Sequence, residues 1–415
     1  MSGPRVLVAG ASIAGPALAH WLRRRGAEVT VVERAPALRP GGQAVDARGV
    51  TKEVIRRMGL DAQVRAACTD TAGAHAVDAD GTVLETHRAD DDGGDGYIAD
   101  IEILRGDLSR VLHDDTRDGV EYVFGDRIVE LTQDADGVDI VLAGGDRRRF
   151  DLVIGADGLH SALRAMVFGP RERFVHHLGL VLAFYSVPNE FGVDSWLIDH
   201  QDPGTGRSAG LRPTGDPAQV MAVLSFPAAD FDVDHRDVAA QKDLLRERMA
   251  GLGWETPRIL AHLDDAPDFY LDQVAQVVMD RWSVGRVGLL GDAAFCPSPM
   301  SGQGTGLALV GAYLLAGELA AAGWDPEAGF AGYERRMRAF VEANQEIGRL
   351  HVESLAATGP DAPPAPEPDM EAMMELAGRA IDGIELPDYA GVPDSGPGGS
   401  RSPAGSGPRP STPHD

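Results

Sequence analysis

Apolar residues run from Val6 to Ala9 and stop at a glycine, Gly10. Past Ala17 the spacing becomes helical, with Leu18 and Leu22 four apart on one face, and the pattern predicts a helix over 17–25. A second apolar run over 27–32 then closes on the carboxylate of Glu33. Strand, glycine turn, helix, strand and acid follow one another in that order, the start of a βαβ unit in an α/β fold.

Further along, 43–48 reads as a short strand or extended loop, and 51–58 as a helix ended by Gly59. Weak alternation over 72–86 with Asp80-Gly81 between predicts a hairpin. Residues 90–96 read as a solvated polar loop, and a helix starts within 103–108, with Leu104, Leu108 and Leu112 on one face. Three or four strands are expected over 120–154, with turns at Asp136-Gly137 and Gly144-Gly145, and mostly strand over 174–226. A polar helix over 238–249, a strand over 270–279 and a second strand-into-glycine turn over 288–292 come next. Helices are expected over 303–322 and 326–357, a Pro-rich linker over 360–368 and a short amphipathic helix over 370–381. From 395 onward Gly, Ser and Pro dominate, a composition too poor in apolar side chains to order itself.

Three stretches carry chemistry. In the first, Gly10, Ser12 and Gly15 stand at dinucleotide-fingerprint spacing, with serine at the second glycine position, and Glu33 lies where an acid would hold a ribose hydroxyl. Such a turn presents backbone N–H groups and a helix N-terminus to a phosphate. Alone, it fits an ordinary βαβ unit equally well. The uncharged run over 6–22 is Gly-rich and leads straight into a second strand, so it is read as fold and not as a signal peptide. The second stretch, Asp157-Gly158-Leu159-His160-Ser161-Ala162-Leu163-Arg164, is by itself a strand-to-helix turn with Ser161 as cap and Arg164 as an added cation. The third runs from Gly291-Asp292 through Pro297, Pro299 and Met300 to Gly302-Gln303-Gly304. An acid ends a buried strand, a double-proline loop follows, and a glycine turn opens a long apolar helix, whose N-terminal N–H groups form an anion site.

In this order the stretches resemble the single-component FAD-dependent aromatic hydroxylases of the para-hydroxybenzoate hydroxylase type, which include polyketide hydroxylases and tetracycline-inactivating monooxygenases. The resemblance spans about 6–357 and implies a Rossmann-type FAD-binding domain with an inserted, mostly-β substrate domain and C-terminal helices. It divides the chain into FAD-binding parts 1–70, 101–173 and 281–325, substrate parts 71–100 and 174–280, a C-terminal helix 326–358, a linker with a short helix 359–394, and a disordered tail 395–415. It implies that FAD contacts Gly10, Ser12, Ile13, Ala14, Gly15, Glu33, Arg34, Arg48, Arg105, Asp157, Gly158, Gly291, Asp292, Gly302, Gln303 and Gly304. Asp292 would meet the ribityl hydroxyls, and 302–304 the pyrimidine edge. NADPH or NADH would reduce the flavin, and O2 would then hydroxylate an aromatic substrate through a hydroperoxyflavin. The chain departs from the family at Phe295, often His, and at Gly306, often Asn. Pocket candidates are Pro297, Pro299, Met300, Arg212 and Trp196. His176, His177, Tyr185 and Phe226 share the expected substrate sheet, and alternation sends some of that sheet's residues to each face. Apolar and aromatic residues there (Leu178, Leu180, Leu182, Phe184, Trp196, Leu224 and Phe226) point to a bulky, polyketide-like substrate.

Composition narrows the rest. The 415 residues suffice for two cores, and 43% hydrophobic with 25% charged residues is ordinary for a globular chain. A net charge of −26 repels nucleic acid and anionic membranes, so neither is an expected partner. Cys68 and Cys296, the two cysteines, offer no disulfide framework or metal cluster, and the cytoplasm is the expected compartment. With Lys52 and Lys242 as its lysines and Trp196 without a Trp-x-Trp partner, a halogenase is disfavoured. An NAD-dependent dehydrogenase is disfavoured by the third stretch, which that class does not need. A non-catalytic flavin-binding homologue competes with the hydroxylase, and donor oxidation stimulated by an aromatic compound separates the two.

Overall fold

The computed structural model describes residues 3–39, 41–89, 95, 98–228, 237–356 and 370–389. The expected linker, the tail and, apart from Asp95, the loop at 90–96 lie outside them. The first apolar run is strand Arg5–Ala9, in the middle of a six-stranded sheet. The sheet order is Ser283–Val284, Val287–Leu289, Leu152–Gly155, Arg5–Ala9, Glu28–Glu33, Glu121–Phe124. All pairs are parallel except the first. Val6, Leu7 and Val8 are fully buried because parallel strands are covered on both faces, which explains an apolar run without alternation. Helices Ala14–Arg24 and Gly304–Ala321 pack against each other beside this sheet, with Trp21 set edge-on to Tyr313 at 4.9 Å. Gly304–Ala321 is long and apolar enough to cross a membrane, but 72% of it is buried inside the protein, the signature of a core helix.

The second sheet has seven strands, in the order Tyr270–Val277, Val175–Pro188, Gln219–Pro227, Arg207–Pro213, Trp196–Asp202, Gly73–Val77, Val83–Arg88. Its pairs are antiparallel except Trp196–Asp202 with Gly73–Val77. The hairpin expected at 72–86 is its edge. Helices Val238–Met249 and Thr256–Ala261 cover one face, burying Val181, Ala183, Tyr185 and Val187 against Leu245, Met249 and Ile259. Leu180, Leu182 and Phe184 alternate onto the other face.

Three differences from the sequence reading have local causes. Residues 120–155 hold five strands, because the apolar run 150–154 belongs to two sheets. Phe150 ends the antiparallel strand Arg147–Phe150, and the chain crosses at Asp151, whose carboxylate accepts the Arg5 N–H at 2.6 Å. The first helix begins at Ala14, where Ala-Gly-Pro carries no apolar period to reveal it. Helix Thr256–Ala261 is not visible in the pattern; its six residues are too few to show a period. At the other end, Met370–Asp382 docks on Pro326–Ala356, where the Asn344 amide donates to the Ala380 carbonyl at 3.0 Å.

Candidate functional site

The first turn is closed by backbone contacts that admit only glycine. Gly10 has φ +111°, and a Cβ there would lie 2.4 Å from the Ala156 carbonyl oxygen. A Cβ on Gly15 would lie 1.9 Å from the Gly10 carbonyl oxygen, so helix and strand touch at this point. Glu33 spans the turn, its carboxylate accepting the N–H groups of Ala11 at 2.9 Å and Ala35 at 2.8 Å. Ser12 and Ala14 are half-buried, Ile13 is buried at the helix entry, and Arg34 is exposed beside Glu33.

The second stretch abuts the first through Ala156. Asp157 caps helix Ala162–Val167, accepting the Ser161 hydroxyl at 2.5 Å and the N–H groups of Ala162 at 2.8 Å and Leu163 at 3.1 Å. Burial pushes its carboxyl up, and these bonds oppose the rise. Ser161 is a cap as expected, accepting the Arg164 N–H at 2.9 Å. Gly158 turns the chain at φ +79°. Arg164 is not a cation offered to a phosphate: it is 1% exposed. Its guanidinium donates to the carbonyls of Ala293 at 2.9 Å and Leu159 at 2.7 Å, clamping the second stretch to the third.

In the third stretch, a Cβ on Gly291 (φ +63°) would stand 3.2 Å from the Ala14 Cβ, so this turn lies against the first. Burial pushes the Asp292 carboxyl up, and the Arg105 guanidinium opposes that rise. Asp292 Oδ1 would lie 3.8 Å from a Cβ on Gly304, at the start of the core helix. Arg105 itself is exposed at the head of helix Arg105–Thr116. Ser298, between Pro297 and Pro299, holds φ +81°, a conformation side chains rarely adopt. Gly302 (φ +66°) faces Arg48 Nη1, 3.2 Å from its would-be Cβ, and Arg48 pairs with Asp46 at 2.8 Å. Gln303 is buried, its N–H donating to the Ser301 hydroxyl at 3.1 Å.

Both departures from the family find a packing cause. Phe295 is buried with its ring 4.7 Å from Trp282, in an aromatic cluster that includes Tyr333. At Gly306 a Cβ would come 2.6 Å from Thr51 Oγ1 of helix Val50–Met58, so two helices meet where a side chain would stand.

Met300 leaves the double-proline loop to pack against the buried cluster of Leu180, Leu182, Val274 and Val352, which Leu178 and Phe184 of the second sheet also join. Arg212 and Asp199 lie on this same face, joined at 2.6 Å. Tyr185, Leu224 and Phe226 lie instead in the helix-covered core, because alternation cannot say which face a helix will cover. Trp196 departs from its pocket assignment: its strand register puts it on the face opposite Asp199, where it stacks on His75 at 4.3 Å with Arg88 over the ring at 5.7 Å. Sequence reasoning misses the Asp199 partner of Arg212, the clamp role of Arg164, Thr51, and a Tyr270–Asp272–His160 line on the Met300 side. His160 lies within a motif, but nothing in its spacing points to a residue 112 positions away.

The three turns thus meet at Ala14, Ala156 and Gly291, with the N-terminus of the buried helix beside Asp292, and glycine turns joined to a helix N-terminus suit a cofactor that carries phosphate. A parallel sheet with this cradle, set against a second sheet that offers an apolar face, defines a flavoprotein oxidoreductase. Residues 4–347 match the FAD binding domain family, and the chain belongs to it. It is 36% identical to a flavin-dependent monooxygenase of Legionella longbeachae, over 93% of this chain and 98% of that protein. It is 44% identical to an uncharacterized protein of Mycobacterium tuberculosis, over 92% and 99%. The solved structure of the tetracycline destructase Tet(55) superposes with a TM-score of 0.82 at 38% identity, covering 94% of this chain and 99% of that one. The protein is a flavin-dependent monooxygenase with FAD as its cofactor, acting on a small molecule with O2.

Proposed function

We propose that this enzyme hydroxylates a bulky, largely apolar, multi-ring phenol of the polyketide type, using NADPH or NADH as donor. The observation that carries the reading is the sheet face behind Met300. There Leu180 and Leu182 are buried beside Val352 of helix Pro326–Ala356, Leu178 and Phe184 remain half-buried, and Arg212, the cation that would hold a small benzoate, is already paired with Asp199 at 2.6 Å. A neutralised cation leaves shape and apolar burial to select the substrate. The likeness to tetracycline destructases, which act on a multi-ring substrate by their name, supports the same class.

Bound FAD would supply two-electron reduction and oxygen activation. The chain's part is to hold and shield it. The N–H groups of 10–15 and the first helix dipole would hold the pyrophosphate, Glu33 the ribose, and Asp292 and Arg105 the ribityl chain and phosphates. The N–H groups of 302–304, with the dipole of Gly304–Ala321, would stabilise negative charge on the pyrimidine edge. Pro297, Pro299 and Met300 would wall the reacting face from water. One dinucleotide fingerprint serves FAD, so the nicotinamide docks transiently. The FAD-binding and substrate parts divide the chain as the resemblance implies, and the cytoplasm is its compartment.

The test measures donor oxidation and product mass with small hydroxybenzoates, 1,8-dihydroxyanthraquinone and tetracycline. Product one oxygen heavier from a multi-ring phenol supports the proposal. Tightly coupled hydroxylation of small benzoates, with no reaction or binding of the larger compounds, overturns it.

A further inference from the structure

Each carbonyl of the double-proline loop from 296 to 300 accepts a hydrogen bond. The Cys296 carbonyl takes the Val277 N–H at 3.0 Å, and the Pro297 carbonyl takes the buried Gln276 amide at 3.0 Å. The Ser298 and Pro299 carbonyls are bonded within the loop, by the Ser301 hydroxyl at 3.0 Å and the Gly302 N–H at 3.1 Å. The Met300 carbonyl lies 2.6 Å from Nδ1 of His351, an exposed residue near the end of helix Pro326–Ala356. Among the described residues, the other side chains on these carbonyls, Gln276, Gln345 and Ser301, are buried or half-buried.

His351 is the last of three contacts spaced three residues apart along one stripe of that helix. Gln345 donates to the Val277 carbonyl at 2.8 Å, while its own carbonyl accepts the Gln276 amide at 2.6 Å. The two glutamines thereby join the helix, the second sheet and the loop. At Gly348 the helix backbone lies flush on the loop: a Cβ there would meet the Pro297 carbonyl oxygen and stand 2.7 Å from Ser298 Oγ. Ser298 is buried at φ +81° with no hydrogen-bond partner for its hydroxyl, a strained state that persists only because its surroundings fix it. One turn further on, His351 holds the Met300 backbone, and Val352 packs in the cluster that the Met300 side chain joins. A strained turn opens first where its restraints are exposed to water, and the bond to His351 is that place.

We infer that His351 is a positioning residue of this monooxygenase, whose bond to the Met300 carbonyl keeps the double-proline loop closed over the reacting face. The inference rests on the wall role proposed above for Pro297, Pro299 and Met300, and not on which aromatic compound is the substrate. His351 acts through Met300: with its bond lost, the loop loosens at its solvent end and admits water. Two donor electrons then reduce O2 to hydrogen peroxide instead of supporting hydroxylation. The bond needs a proton on Nδ1, so the neutral ring is held in the Nδ1–H tautomer with Nε2 left as an acceptor. Gln276, Gln345 and Gly348 seat the buried part of the same loop.

The test uses the FAD-loaded enzyme with His351→Leu, which deletes the donor, and His351→Gln, whose amide can reach the same carbonyl. NMR of histidine-labelled wild type, at a pH where the ring is neutral, should show the His351 proton on Nδ1. His351→Leu should keep full flavin content. With no substrate present, the constant for acrylamide quenching of its flavin fluorescence should rise about two- to tenfold, the worth of one hydrogen bond in a loop equilibrium. With 1,8-dihydroxyanthraquinone, the peroxide released per donor oxidised should rise too, and His351→Gln should return both readouts towards the wild type. A ring proton on Nε2, a quenching constant that His351→Leu leaves unchanged, or a His351→Gln enzyme no better shielded than His351→Leu overturns the inference. So does a lower melting temperature without a change in quenching, which would make the contact structural only. Quenching that rises in His351→Leu and recovers in His351→Gln, in an enzyme that hydroxylates no multi-ring phenol, supports the clamp and removes the substrate reading. Unchanged quenching in an enzyme that does hydroxylate such a phenol removes the clamp and keeps that reading.

Discussion

Gly306 is the sharpest test of the packing around the cradle. Replacing glycine by alanine in a helix gains up to ~1 kcal/mol from backbone propensity when the space is open. Here the space is taken: the new Cβ would stand 2.6 Å from Thr51 Oγ1 and 3.0 Å from Gln303 Oε1. Gln303 can swing the end of a flexible side chain, but Thr51 is buried in a packed helix and has little room to move. Overpacking of this kind costs about 1–3 kcal/mol, so Gly306→Ala should destabilise by about 0–2 kcal/mol net. Thr51→Ala removes the offending oxygen and leaves the Thr51 Cβ at 3.8 Å from the new methyl, an ordinary contact. In that background Gly306→Ala should stabilise by up to ~1 kcal/mol, a coupling of about 1–3 kcal/mol in a double-mutant cycle. Urea unfolding of the four proteins at constant m reads the sign directly, with flavin content as a second readout. Equal effects of Gly306→Ala in both backgrounds, within about 0.5 kcal/mol, would refute the account of why this chain carries glycine there.

Glu33→Ala deletes a charged acceptor, worth about 1.5–3 kcal/mol per bond, and should weaken FAD binding roughly ten- to over a hundredfold in a flavin titration; unchanged affinity would leave Glu33 as a brace for Ala11 and Ala35 alone. Asp292→Ala should lower flavin occupancy while the far-ultraviolet circular dichroism stays that of the wild type, and full occupancy would make its role structural. Asp46 is pushed from 3.8 to about 6 by burial, against the pull of Arg48. Between these values the unfolded chain has released a proton that the folded one retains, so stability should fall as pH rises through that window, by on the order of 3 kcal/mol. Asp46→Asn should flatten that fall in melting temperature between about pH 4 and 7, and an undiminished slope would count against the assignment. Ending the chain after residue 393 should leave melting temperature and flavin content unchanged, and a large loss of either would show that the tail docks.

Legibility followed the range of the interactions. The strands, turns and helices of the cradle are readable because glycine turns, caps and buried parallel strands write local patterns. Helix Val238–Met249 matches its predicted bounds, and Gly59 ends its helix in the left-handed region at φ +78°. What stays hidden depends on which surfaces meet. Alternation on the second sheet sorts Leu182 and Phe184 from Tyr185 and Leu224, but which side meets Met300 is settled by the helices that cover each face, Val238–Met249 and Thr256–Ala261 on one and the end of Pro326–Ala356 on the other. The size and ring of Trp196 suggest a pocket residue, and its strand register turns it the other way. Arg212 keeps its face but not its freedom, because Asp199 stands on a different strand.

Arg164 shows why three motifs that are weak separately make a strong combination. A motif that only had to turn the chain could place its arginine in water. This guanidinium is buried instead, donating to one carbonyl in its own turn and one in the third stretch, 129 residues away. Leaving such carbonyls without donors would cost about 1–3 kcal/mol each, a sizeable part of the ~5–15 kcal/mol that holds a folded protein. Its position therefore fixes the separation between the Asp157 turn and the Gly291-Asp292 turn, while Ala156 and Ala14 tie both to the first glycine turn. The three stretches are one rigid cradle, and each constrains the spacing of the other two. That mutual constraint is physical, so it explains why their order along the chain identifies the fold when no single glycine pattern does.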